Sequence, residues 1–129
     1  MGTSEQAPVP LGAYVNALVV AGTCYVSGQV PVDSAGQTVG VGDPRVQAGQ
    51  VFRNLAAVLA EHGMTLSDVV ALTTYLTRVE DSAVVSAVRR ESFGEHRPTS
   101  TVVCVAGLLH PHWLLEVSAI AARPDGAAR

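Results

Sequence analysis

There is no lysine in this chain, and its 8 fixed cationic side chains are all arginine. They are scattered, and the only adjacent pair, Arg89-Arg90, runs straight into Glu91. The formal net charge is −3. Without a basic stripe interleaved with aromatics, nothing here neutralises a phosphate backbone, so no nucleic-acid partner is expected. The 2 cysteines, Cys24 and Cys104, are too few for a disulfide framework. Cys104 reads as a small core residue, and a reducing cytoplasm is the expected compartment. No apolar run approaches the roughly 20 residues that span a bilayer. Met1 to Pro10 also lacks the basic-then-apolar order of a secretory signal, so no membrane partner is expected.

What the chain has in quantity is apolar surface. Of its 129 residues 48% are hydrophobic and 15% charged. That length suits one domain, 1–129, with a folded core from about Ala7 to Arg123 and short loose ends. So apolar a composition implies that some surface is buried between subunits.

The pattern of residues sets an element order. Val15 to Ala21 and Cys24 to Val30 are apolar runs broken at Gly22-Thr23, a strand, turn and strand. Asp43-Pro44 is a helix start, with Asp as the cap and Pro in the first turn. Val51, Leu55, Val58 and Leu59 recur at helical spacing up to Gly63. Val69 to Val79 is β-branched and aromatic, a strand. A second helix opens at Asp81-Ser82, buries Val84, Val85, Val88 and Phe93, and stops at Gly94. Thr99 to Ala106 and Trp113 to Ala122 complete the set as strands, with a turn over Gly107 to Pro111. Two helices cannot cover both faces of such a sheet, so they pack on one face of a two-layer α+β domain. The bare face again calls for a partner copy.

Within the last strand stands one carboxylate, Glu116. No other acidic residue lies between Glu95 and Asp125. A carboxylate in so apolar a strand needs a partner, an opening to solvent, or a chemical task, and burial tends to raise its pKa toward the range useful for proton transfer. Strand alternation puts Leu114, Glu116, Ser118 and Ile120 on one face, and Ser100, Val102 and Cys104 on one face of the preceding strand. If those strands form a hairpin, Ser100 and Glu116 can share a side. His110 and His112 have the parity of Glu116, a zinc-like ligand set, but Pro111 makes a turn there, so they read as turn histidines at a cleft mouth and no metal is expected.

The stretches Leu11-Gly-Ala-Tyr14, Tyr25-Val-Ser-Gly-Gln-Val-Pro-Val-Asp33, Arg97-Pro-Thr-Ser-Thr-Val-Val-Cys-Val-Ala106 and Leu115-Glu-Val-Ser-Ala-Ile-Ala121 resemble the Rid, or YjgF, family of reactive intermediate deaminases. The resemblance implies a chorismate-mutase-like fold assembled as a homotrimer. It also implies small-molecule pockets in the clefts between subunits, and hydrolysis of imines and enamines without metal or organic cofactor. It places the pocket tyrosine at Tyr14, the pocket-lining Ser-Gly at Ser27 and Gly28, and the proton-transferring glutamate at Glu116. The family's carboxylate-binding arginine falls on Ser100, its helix asparagine on Ser86, and a frequent cysteine on Val102. A serine cannot replace the paired charge-assisted hydrogen bonds of a guanidinium. Arg97, three positions away, points to the opposite strand face; a neighbouring subunit could supply an arginine. The expected function is therefore deamination or related proton transfer and water addition with altered specificity, on a substrate that need not carry a carboxylate. The alternatives are a ligand-binding trimer without catalysis and, against the charge balance, an endoribonuclease.

Overall fold

The computed structural model describes residues 6–123. The first two apolar runs form a hairpin, β1 (Ala17–Val20) and β2 (Thr23–Gln29), paired antiparallel with Val20 opposite Thr23. Its two turn residues, Ala21 and Gly22, have φ of 50° and 82°. That left-handed geometry matches the twist of a tight hairpin.

Helix α1 (Pro44–Ala60) begins as its sequence dictates. The Asp43 carboxylate accepts the backbone N–H groups of Arg45 and Val46 at 3.1 and 3.2 Å, and Pro44 occupies the first turn. Strand β3 (Val69–Leu76), helix α2 (Ser82–Phe93), strand β4 (Thr99–Cys104) and strand β5 (Leu115–Ala122) follow. The third strand stops at Leu76, short of Val79, which opens a 3-10 turn leading to α2.

The five strands form one sheet in the order β1-β2-β5-β3-β4. The β3 to β4 connection runs through α2 and makes the one parallel pair; the other pairs are antiparallel. The hairpin considered for the last two strands therefore does not form. β5 inserts between β2 and β3, and β4 is left at the edge. The reason is burial: Leu115, Val117, Ala119 and Ala121 are all nearly inaccessible, which a central strand allows and an edge strand does not.

Both helices lie on one face. Phe52, Leu55 and Leu59 of α1 and Val85, Val88 and Phe93 of α2 pack with Leu72, Leu76, Leu115 and Val117 in one core, and the rings of Phe52 and Phe93 meet edge to face at 5.9 Å. The opposite face carries a row of apolar side chains. Leu18 pairs with Tyr25, and Tyr25 with Ile120, and these are 58%, 50% and 37% exposed. Edge strand β4 is exposed along its whole length, with Val102 at 47% and Val103 at 40%. Cys104 is exposed rather than in the core, because nothing covers the outer side of this strand. No helix among the described residues is long and apolar enough to cross a membrane.

Candidate functional site

The pairing of β2 with β5 carries one irregularity. Val26 pairs with Ala119 and Gln29 with Val117, so the stretch Ser27-Gly28 holds one residue more than its partner strand. This is a β-bulge, a device that re-aims side chains. It is pinned by Ser27, whose N–H donates to the Asn16 carbonyl at 2.8 Å and whose hydroxyl donates to the Val15 carbonyl at 2.6 Å. The bulge presents the bare Cα of Gly28 to Glu116. A Cβ added at Gly28 would lie 2.2 Å from Glu116 Oε2 and 2.8 Å from its Cδ. The glycine is needed for this close approach, and its φ is not in the left-handed region.

Glu116 is half-buried on the sheet face away from the helices. Among the described residues no hydrogen bond or ion pair engages its carboxyl. Burial alone raises its pKa above the ordinary glutamate value, since removal from water penalises the charged form. The carboxyl opens into a cleft of about 420 Å³ lined by Tyr14, Ser27, Gly28, Val30, Leu109 and Trp113, among others. Four of the residues singled out from the sequence, Tyr14, Ser27, Gly28 and Glu116, thus meet in one place.

The cleft walls are set by buried amides on α1. Gln47 is wholly inaccessible; its Nε2 donates to the His112 carbonyl and its Oε1 accepts the Leu114 N–H, both at 2.8 Å. This clamp fixes the chain just ahead of β5. Trp113 donates from Nε1 to Thr38 Oγ1 at 3.0 Å, and His110 stacks on its ring at 5.4 Å. The His110 ring also meets that of His112, with centroids 5.4 Å apart. No metal-binding group of three His, Cys, Asp or Glu occurs among the described residues. The sequence reading missed Trp113, Leu109 and Gln47. The chain's only tryptophan, at the entrance to the strand of Glu116, was the available signal.

Ser86, Ser100 and Val102 lie elsewhere. Ser100 pairs with Leu72, which pairs with Ala119, so Ser100 sits on the helix side of the sheet. Glu116 pairs with Tyr75 on the other side, two strands away from β4. Ser86 and Val102 line a groove between α2 and the edge strand together with Arg89. Arg97 also departs from the strand-parity expectation. It lies in the turn before β4, donates to the carbonyls of Gly94 and His96, and lines the same cleft as Ser100.

Comparison with known proteins matches this arrangement as a whole. A family model described as Endoribonuclease L-PSP matches residues 4–123. A RutC family protein of Pyrococcus abyssi is 38% identical over 118 residues, 92% of either chain. The chain belongs to the endoribonuclease L-PSP family, which includes the Rid, YjgF and RutC proteins. A 3-aminoacrylate deaminase RutC of Acinetobacter baylyi is 34% identical over 117 residues, covering 91% of this chain and 92% of that one. The crystal structure of E. coli TdcF with bound serine superposes with a TM-score of 0.85 at 31% identity, covering 92% and 94% of the two chains. The mixed α+β fold is the family's.

The Gly28 contact makes a specific prediction. In Gly28→Ala the new methyl meets the flexible end of Glu116, so the carboxyl is displaced while the fold survives at a cost of about 1 kcal/mol. A crystal structure of the variant should show the Glu116 carboxyl out of its position, with a melting temperature only a few degrees lower, about 2–4 °C for a domain of this size. An unmoved carboxyl would refute the contact.

Proposed function

We propose that this chain is a hydrolytic deaminase of small imines or enamines, working at the Glu116 cleft of a homotrimer. The observation that carries the reading is the Glu116 carboxyl itself: half-buried, without a partner, raised in pKa, and held against Gly28 at the wall of a cleft. Asp81, by contrast, is a buried carboxylate with a partner, Arg78 at 2.9 Å. The kinship adds to this, since relatives of the same length carry deaminase names.

The chemistry needs a group that takes and returns one proton near neutral pH. An enamine first takes a proton at carbon and gives one up at nitrogen to become its imine. Glu116 as carboxylate then accepts a proton from water as the water oxygen bonds to the imine carbon. That proton passes to nitrogen to complete the carbinolamine, whose hydroxyl proton then moves through Glu116 to the nitrogen as the C–N bond breaks, and ammonia leaves a carbonyl product. Imine plus water gives carbonyl plus ammonia, with no oxidant or reductant. Tyr14 and the Ser27-Gly28 backbone border the space where the substrate would lie.

A single chain holds only half of the residues that the family resemblance gathers at the site. Ser86, Ser100 and Val102 lie beyond β3 on the other side of the sheet, so they reach a Glu116 cleft only from a neighbouring copy. The exposed Leu18-Tyr25-Ile120 row and the bare edge β4 are surfaces that a second copy could cover. Unpaired apolar edges of this kind are otherwise association hazards.

Three measurements test the reading. Glu116→Gln should abolish ammonia release from freshly generated 2-aminoacrylate. The raised pKa means the folded chain binds its proton more tightly than the unfolded one, so Glu116 loses stability as pH rises past the ordinary carboxylate range. Glu116→Gln should therefore melt above the parent at pH 7, with the difference vanishing at low pH. Full turnover by the variant would remove Glu116 from the chemistry. Separately, light scattering should give the mass of three chains; a monomer would leave the cleft without its second half.

A further inference from the structure

A second polar cleft, of about 280 Å³, opens between α2 and the start of β4. Its lining includes Arg89, Arg90, Arg97 and Ser100, and no carboxylate. Arg89 lines it and also the adjoining groove that holds Ser86. One terminal nitrogen donates to Ser100 Oγ at 3.0 Å and the other to Ser86 Oγ at 3.1 Å. Arg90 donates to the same Ser86 hydroxyl at 3.1 Å. Two guanidinium groups thus converge on one neutral oxygen. Among the described residues none of the three arginines has an acidic partner, and the nearby Glu91 is engaged by Arg45 at 3.2 Å.

Like charges drawn together without a counter-charge repel each other, and the repulsion is relieved when an anion binds between them. The two serine hydroxyls use only two of the five N–H donors of Arg89, and they hold the planar fork in a fixed orientation. A guanidinium so oriented suits the paired oxygens of a carboxylate. The cleft fits a small molecule; of the two rings that line it, Phe93 is buried in the core, and His96 packs against Phe93 with its Nε2 2.7 Å from the Val69 carbonyl. The cleft thus lacks the series of exposed aromatic faces on which single-stranded nucleic acid stacks.

We infer that Arg89, oriented by Ser86 and Ser100, is the anion-binding residue of this chain, and that its ligand is the carboxylate of a small organic acid. Position 100, where the family resemblance places an arginine, instead contributes a hydroxyl that steers a guanidinium arriving from the helix. The inference rests on the proposed function in one respect: the bound acid would be the substrate presented to Glu116 of a neighbouring subunit. It reverses the expectation from sequence that the substrate need not be a carboxylate.

The test is calorimetric titration of the full-length protein with 2-oxobutanoate, its neutral amide, inorganic phosphate and a short RNA, alongside steady-state ammonia release. The parent should bind the keto acid and not the amide. Arg89→Met should weaken that binding by roughly tenfold or more and raise KM more than it lowers kcat. Arg89→Lys, which keeps the charge and lacks the fork, should fall between and serves if the methionine variant fails to fold. Ser100→Ala should weaken binding by a smaller factor. Unchanged keto-acid binding by Arg89→Met, equal binding of the amide, or preference for phosphate or RNA would overturn the assignment. Arg89-dependent binding of the keto acid with no ammonia release would support the anion site while sinking the deaminase reading.

Discussion

The site depends on an atom that is absent, the Cβ of Gly28. With no side chain there, the extra residue of the β2 bulge lets the Glu116 carboxyl lie against the neighbouring strand, partly withdrawn from water. Everything chemical about the cleft follows. The contact supplies no donor, so Glu116 stays unpaired. Desolvation without compensation then favours its protonated form. The serine beside the glycine spends its hydroxyl and its N–H on the segment before β1, which keeps the bulge from relaxing.

That arrangement opposes stability, and the rest of the fold is built in the opposite sense. Two buried amides of α1 are well engaged: Gln47 bridges the two sides of the His112–Leu114 turn, and Asn54 donates to the carbonyls of Val30 and Val32 at 3.1 and 2.8 Å. Both tie the loops that border the Glu116 cleft to α1, the best packed helix in the molecule. Removing such an amide would strand two buried backbone groups, a loss of about 1–3 kcal/mol. Gln29 is the exception: its buried Oε1 has no hydrogen-bond partner among the described residues.

Element types were legible in the sequence because each has a local cause: the Asp43-Pro44 start, the heptad-like apolar positions of α1, the β-branched run of β3. Strand order was not. Nothing local says that β5 will insert between β2 and β3, and the hairpin suggested for the last two strands failed on that long-range choice. The placement of Tyr14, Ser27, Gly28 and Glu116 in one cleft came from motif resemblance and strand parity together. The separation of Ser100 from Glu116 could not, since it depends on which side of the sheet each strand shows after pairing. Arg89 was visible only as half of the Arg89-Arg90 pair. Its significance appears when α2 is laid beside β4 and the two serines meet it.

The same geometry divides the labour of the site. The Glu116 side offers proton transfer in a half-desolvated cleft and has no cation; the α2 side offers cations and has no acid. A relative named a deaminase is similar over 91% of this chain, and under the proposed function two copies together would complete the site. The direct test of the account is the titration of Glu116 itself, followed by carbon-13 NMR of its side-chain carboxyl. The account predicts a pKa above that of an ordinary glutamate, because burial against Gly28 is uncompensated. A pKa at or below the ordinary value would mean that a partner or full solvation stabilises the charged form, and would contradict it.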